Sequence, residues 1–235
     1  MAIDQDAMKR AAAAKALEYL TDGMKLGLGT GSTAEIFLEL LAARVRGGLN
    51  VIGVPTSERT AEKARALGIP LAALDDLAPL DLTVDGADEA DRKLNLIKGA
   101  GGALLREKIV ASSSKRMMVI ADKSKLVSRL GKFLLPIEVL EFGQKTTAER
   151  IRQMLAKFGY SDVPVTLRSR DGLTFVSDSG NLIYDCALGA ISSAPKLAAA
   201  LSDVPGVVEH GLFIGVATTL IIAHPRKVEV IERAT

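Results

Sequence analysis

Tryptophan is missing from the 235 residues, tyrosine occurs three times and aromatic residues reach only 4%. A surface for stacking nucleobases therefore has little to be built from, and a formal net charge of +2 gives no basic footprint for a phosphate backbone. No nucleic-acid partner is expected. One cysteine, Cys186, excludes an intrachain disulfide framework and suits a reducing compartment. No apolar run approaches the length of a bilayer span, and the first residues (MAIDQDAMKR) mix acids and bases where a signal peptide has an apolar core. His210, His224 and Cys186 form no cluster with metal-ligand spacing, so no metal is expected. What is present is a chain 48% hydrophobic and 25% charged, ample for one large domain or two small ones. A cytoplasmic protein without a membrane partner is the expectation.

Strands and helices alternate through the first half. Residues 6–20 read as an Ala-rich helix stopped by Thr21-Asp22-Gly23, and Met24 to Leu28 as a short buried strand. Ser32 or Thr33 can cap a helix to about Arg46, in which Ile36, Phe37, Leu40 and Leu41 recur at helical spacing. Strands are expected at Val51 to Pro55, Ile69 to Ala72, Leu80 to Val84 and Met117 to Ala121. Helices are expected from Ser57 through Leu67-Gly68 and from Ala103 to Ser112. This alternation predicts a parallel sheet with helices on both faces.

Near residue 131 the rhythm changes. An extended "FLLPIEVL" precedes a helix over 147–158, and the turns Asp171-Gly172 and Ser179-Gly180-Asn181 predict antiparallel strands. A helix near 195–202 follows, then late strands in "LFIGVATTLIIAH" and "KVEVIE", the last returning to the first sheet. The expected division is 1–130 plus about 206–235 as the main unit, with about 131–205 as a smaller inserted one.

Three stretches carry chemistry. "GTGSTA" (29–34) satisfies the dinucleotide fingerprint, but that reading wants a carboxylate at the end of the next strand. Here that strand ends Pro55-Thr56-Ser57, and the first acid is Glu58 inside a helix. Without a Gly-Lys-Ser/Thr there is no Walker A loop either. Free backbone N–H groups, two hydroxyls and a helix N-terminus remain, which together seat one phosphate; the plain alternative is a Gly-rich turn with a helix cap. "VDGADEAD" (84–91) sets Asp85 and Asp88 at the carboxyl edge of the sheet, where such folds bind ligands. Two acids there could hold Mg²⁺, orient sugar hydroxyls or transfer protons, or could simply form a turn. "IKGAGGALLREKI" (97–109) sets Lys98 before a small-residue loop and Glu107 on the helix after it, where a lone Glu is commonly a solvated face residue. The weight lies in their combination on successive strand-to-helix turns.

These motifs, with "IADKSKLVSRLGKFLLPIEV", "GNLIYDC" and "VPGVVEHGLF" in the same order, resemble ribose-5-phosphate isomerase of the A type over nearly the whole chain. The pairing of DGADE with KGxGGA…REK is the specific element. The resemblance implies a Rossmann-like parallel-sheet domain with a smaller α+β domain, no cofactor, and a homodimer or homotetramer acting on a phosphosugar. It implies that Thr30, Gly31, Ser32 and Thr33 bind substrate, as do Asp85, Gly86, Ala87 and Asp88. The same holds for Lys98, Gly99, Ala100, Gly101 and Lys125, and Ala100 stands where the family often has Gly. Glu107 matches the proton acceptor, with Asp85, Asp88 and Lys98 as the other catalytic groups. Lys9 corresponds to a phosphate-contacting lysine, although no local motif fixes its alignment.

Aldose–ketose isomerisation moves a proton between C1 and C2 through an enediol. It needs a base beside the carbon acid and donors beside two oxygens. Glu107 suits the first role if burial raises its pKa. Rival classes are another phosphosugar enzyme on a similar fold, an amino-sugar phosphate deaminase, a coenzyme A transferase, or a non-catalytic phosphosugar sensor. A sensor needs a DNA-binding module, for which the stretch before the first strand is too short. The histidines are expected to be structural, and Cys186 to sit in the core.

Overall fold

The computed structural model describes residues 5–233. The ends of the expected main unit, residues 1–4 and 234–235, lie outside them. Helix α1 (Gln5–Leu17) leads into β1 (Met24–Leu28), α2 (Ser32–Arg46), β2 (Val51–Pro55) and α3 (Glu58–Ala66). Strand β3 (Leu82–Asp85), α4 (Leu104–Ser112) and β4 (Met117–Asp122) complete the alternating half. The smaller unit holds β5 (Leu135–Val139), α5 (Gln144–Lys157), β6 (Val165–Leu167), β7 (Leu182–Cys186), α6 (Ala194–Ser202) and β8 (Val207–His210). The chain closes with β9 (Thr219–His224) and β10 (Lys227–Glu232).

The main sheet runs β10-β9-β4-β3-β1-β2, parallel throughout except for β10 against β9. Its inner strands β3, β4 and β9 are covered on both faces, which is why they read as continuous apolar runs. On one face Leu26, Leu28, Val84, Met118, Ile120 and Ile221 pack under α1 and α2. Alternate residues of the same strands, Met117, Val119, Leu220 and Ile222, join Ala111 and Phe213 on the other. This is an α/β fold of Rossmann type carrying a smaller α+β unit.

The second sheet, β8-β5-β7-β6, is antiparallel and has its own core of Ile137, Val139, Ile151, Leu155, Tyr184 and Leu197. Val207–His210 still belongs to it, beyond the boundary expected near 206. Three further findings differ from the sequence reading. Ile69 to Ala72 forms no strand but a single bridge from Leu71 to Gly53, because Pro70 has no N–H to extend a ladder. Neither Ser32 nor Thr33 is the cap of α2; Gly31 is, with φ 111° and no side-chain hydrogen bond. "LFIGVATTLIIAH" is two pieces, since Leu212–Phe213 leaves to pair with Leu96–Ile97. Leu96–Ile97 and Glu89–Ala90, both unread in the sequence, complete that three-stranded ribbon. No helix among the described residues is long and apolar enough to cross a membrane.

Candidate active site

Strands β1 and β3 are neighbours and end together, so the loops that follow them face each other at the carboxyl edge of the sheet. Gly29 allows the approach. A Cβ there would stand 2.2 Å from Asp85 Oδ1. In the space the glycine leaves, Asp85 Oδ1 accepts the N–H groups of Thr30 (3.1 Å) and Gly86 (2.7 Å). The positive φ of Gly31 turns the chain into α2, whose first N–H groups have no side-chain cap among the described residues, an electropositive end. The hydroxyl of Thr30 points away from this end, into a knot with Thr56 (2.8 Å), Ser57 (2.8 Å) and Thr60 (3.0 Å). The knot closes on the carbonyls of Leu28 and Gly29 (both 3.0 Å), so buried hydroxyls from the end of β2 fix the loop's shape.

A third wall comes from the short ribbon. Lys98 follows Leu96–Ile97 and donates its backbone N–H to Gly211 (2.9 Å), which sends its side chain inward. Its ammonium has three partners: Asp85 Oδ2 (3.0 Å), Glu107 Oε1 (3.2 Å) and the carbonyl of Gly86 (2.8 Å). Glu107 projects from the first turn of α4 and is 4% exposed. Its second oxygen, Oε2, is buried without a hydrogen-bond partner among the described residues.

A cavity of about 200 Å³ is lined by Thr30, Gly31, Ser32, Thr33, Gly86, Ala87 and Asp88, by Lys98 to Gly101, and by Glu107 and Lys125. The substrate residues expected from the sequence therefore converge on one space, with one exception. Asp85 is fully buried behind Lys98 and does not line it. Lys9, left unaligned by any motif, does. Asp88 uses one oxygen to accept the Ala100 N–H (2.9 Å), which leaves the other toward the cavity.

Lys9, Lys125 and the start of α2 give the lining of this space positive charge. Deeper in, two buried carboxylates share one ammonium. Burial pushes the Glu107 carboxyl up to about 8, against the pull of Lys98 and helped by the charge of Asp85. Burial likewise raises Asp85, opposed by Lys98 and by the Gly86 and Thr30 N–H groups. Burial alone would lower Lys98, but Asp85, Glu107 and Asp88 outweigh it and hold the ammonium above its usual value. Such a carboxyl is poised to exchange a proton near neutrality. Of the two acids weighed for Mg²⁺, Asp85 is paired with the Lys98 ammonium (3.0 Å) and Asp88 accepts the Ala100 N–H (2.9 Å). Among the described residues no group of three or more His, Cys, Asp or Glu could hold a metal ion.

His210, His224 and Cys186 do not line the cavity. His210 is buried beside Lys108, and burial followed by that positive neighbour pushes it down to about 4, so it is neutral. His224 Nε2 lies 3.1 Å from Glu229 in the β9–β10 hairpin. Cys186 is buried, and burial pushes its thiol up to about 12. The missed hydroxyls of Thr56, Ser57 and Thr60 had a signal, the "TSERT" that follows β2, but it reads equally as the helix cap that Ser57 also provides (Thr60 N–H to Ser57 Oγ, 3.1 Å).

Comparison with known proteins identifies the family. A family model described as ribose 5-phosphate isomerase A (phosphoriboisomerase A) matches residues 52–227. A curated protein of Nitrobacter hamburgensis, named ribose-5-phosphate isomerase A, is 59% identical over 228 residues, 97% of this chain and 98% of that protein. Among solved structures, the ribose 5-phosphate isomerase of Plasmodium falciparum superposes with a TM-score of 0.92 at 38% identity, covering 98% of this chain and all of that one (100%). A D-ribose-5-phosphate isomerase in complex with phospho-erythronic acid gives 0.91 at 36% identity, covering 98% and 100%.

Proposed function

The chain belongs to the ribose 5-phosphate isomerase A family and interconverts D-ribose 5-phosphate and D-ribulose 5-phosphate, and from that premise we propose how its residues divide the work. Glu107 is the base. The single observation that carries this role is its buried, unpartnered Oε2 on the wall of the cavity, on a carboxyl held near 8. In the open-chain aldose it takes the C2 proton while the C1 carbonyl oxygen gains one, which gives the enediol. It then returns the proton to C1 as the C2 hydroxyl loses its own and becomes the ketone.

Lys98 lies beside the developing enediolate charge and holds Glu107 by its other oxygen, so that Oε2 faces the substrate. Asp88 has a free oxygen on the cavity and is the group suited to carry protons between O1 and O2. Asp85, out of reach of the cavity, is a positioning residue that orders Lys98 and the loop after β1. The phosphate sits on the N–H groups and hydroxyls of Ser32 and Thr33, with Lys9 and Lys125 beside it. Its binding energy holds the reacting carbons in register. The phospho-erythronic acid bound in a related structure supports an anionic sugar-like ligand for this cavity. The family resemblance further supports a cytoplasmic homodimer or homotetramer that needs no cofactor.

The deciding experiment is Glu107→Gln, which keeps size and shape but cannot take a proton. Turnover should fall by about 10²–10⁴ with KM largely retained, and exchange of the C2 proton of ribose 5-phosphate into deuterated solvent should fall in parallel. Exchange at the parent rate in the folded variant would move the base to Asp88.

A further inference from the structure

The loop between Lys98 and α4 is a β-turn, closed by the Gly102 N–H on the Gly99 carbonyl (3.0 Å). The central peptide of such a turn, Ala100–Gly101, has two orientations related by a flip, and a glycine at the third position makes the flip cheap. Here Gly101 lacks the positive φ that the flipped form requires there. One side chain accounts for the choice. Arg168, just after β6 in the smaller unit, donates from Nη1 to the carbonyls of Gly99 (2.7 Å) and Ala100 (3.3 Å). Across a trans peptide the carbonyl and the N–H point to opposite sides. Drawing the Gly99 carbonyl toward Arg168 sends the Ala100 N–H to Asp88 (2.9 Å), and drawing the Ala100 carbonyl sends the Gly101 N–H the same way. Gly101 lines the cavity, and its N–H has no acceptor among the described residues.

Arg168 is itself held. Asp185 on β7 takes its Nε (2.8 Å) and Nη2 (2.5 Å) in a two-pronged pair, and both side chains are largely buried. Phe175 presses on the turn so closely that a Cβ on Gly102 would lie 2.3 Å from its ring. The smaller unit, which gives no lining residue to the cavity, thus sets the shape of one of its walls.

We propose that Arg168, locked by Asp185, is a positioning residue of the isomerase: it fixes the 99–102 turn in the orientation that presents the Gly101 N–H to the phosphosugar. This rests on the reading of the cavity as the substrate site. The test measures KM, kcat, C2-proton exchange and thermal midpoint in Arg168→Ala, Arg168→Lys and Asp185→Asn. Loss of a charged hydrogen-bond pair that orients a binding loop should raise KM for ribose 5-phosphate at least about tenfold in Arg168→Ala, with kcat falling less. Lysine keeps the charge without the fork, so Arg168→Lys should recover the midpoint but not KM. Asp185→Asn should raise KM by a smaller factor. Unchanged KM in the folded variants, or a kcat lowered only in proportion to the folded fraction, overturns the proposal. Full rescue of KM by lysine does so too. If Arg168→Ala does not fold, the lysine and Asp185→Asn variants decide by the same criterion. The substrate-site reading fails separately, through proton exchange in Glu107→Gln at the parent rate.

Discussion

The base hypothesis has its sharpest consequence in the pH dependence of kcat/KM. Glu107 must be ionised to take the C2 proton, and burial, with Asp85 close by, holds its carboxyl at about 8 rather than near the usual glutamate value of 4.5. At pH 7 roughly one tenth of the free enzyme then carries the base in active form, and at pH 6 about one hundredth. Log kcat/KM should therefore climb with nearly unit slope from about pH 6 to about pH 7 and level off above about 9. The substrate's own phosphate, whose second pKa lies near 6, bends the profile only at its lower edge. Initial rates of ketose formation at low ribose 5-phosphate, in buffers of constant ionic strength, measure the limb directly. Asp85→Asn supplies the internal check. It removes a negative charge that helps hold Glu107 up, so whatever activity remains should show its limb at lower pH. A level profile between pH 6.5 and 9.5, or a limb near 4.5, would refute the assignment of the raised carboxyl to the base.

Other measurements probe the same geometry. The folded-state value of Glu107 lies above its unfolded one, so its favourable contribution to stability is complete below about 4.5 and is lost as pH rises through about 8. Glu107→Gln, with no charge to bury, should therefore melt above the parent at pH 9, and the difference should shrink toward pH 6; a constant difference would tell against a raised carboxyl. Ser32→Ala with Thr33→Ala removes two hydroxyls but keeps the helix N–H groups. KM for ribose 5-phosphate should rise more than kcat falls, and an unchanged KM would tell against this seat. Exhaustive dialysis against EDTA should leave isomerisation intact, because Asp85 is paired with the Lys98 ammonium and Asp88 with the Ala100 N–H; loss restored by a divalent ion would revive the Mg²⁺ reading of the two aspartates.

The alternating half was legible because strands covered on both faces and amphipathic helices write different periods into the sequence. Short elements escaped for the complementary reason. Glu89–Ala90 and Leu96–Ile97 are two-residue strands, too short to carry a period, and they exist because Leu212–Phe213 arrives from far along the chain. The motif "VDGADE" located two acids without distinguishing them, since both sit where turns and sites look alike. Burial distinguishes them, and burial depends on Gly29 and Lys98 rather than on the motif. The hydroxyl knot joins Thr30 to Ser57, 27 residues later, and Arg168 reaches Gly99 across 69. Neither partner carries a local signal of the other.

The buried group of Asp85, Lys98 and Glu107 makes little sense as a device for stability. Desolvating three ionisable groups costs several kcal/mol each, and one ammonium can balance only one of two carboxylates. The arrangement becomes intelligible once its asymmetry is counted. Asp85 receives two backbone N–H groups in addition to Lys98, whereas Glu107 receives Lys98 alone and keeps Oε2 bare. Hydrogen bonds to a carboxylate favour its charged form, so two N–H groups and Lys98 oppose the rise that burial imposes on Asp85, whereas Lys98 alone opposes it on Glu107. That imbalance depends on room for Asp85 Oδ1 among the Thr30 and Gly86 N–H groups, and the room depends on the missing Cβ of Gly29. The small residues of "GLGTGSTA" therefore have a second part in the proposed division of roles. By admitting Asp85 into the backbone, they keep it off the cavity and leave Glu107, of the two, as the acid that faces it.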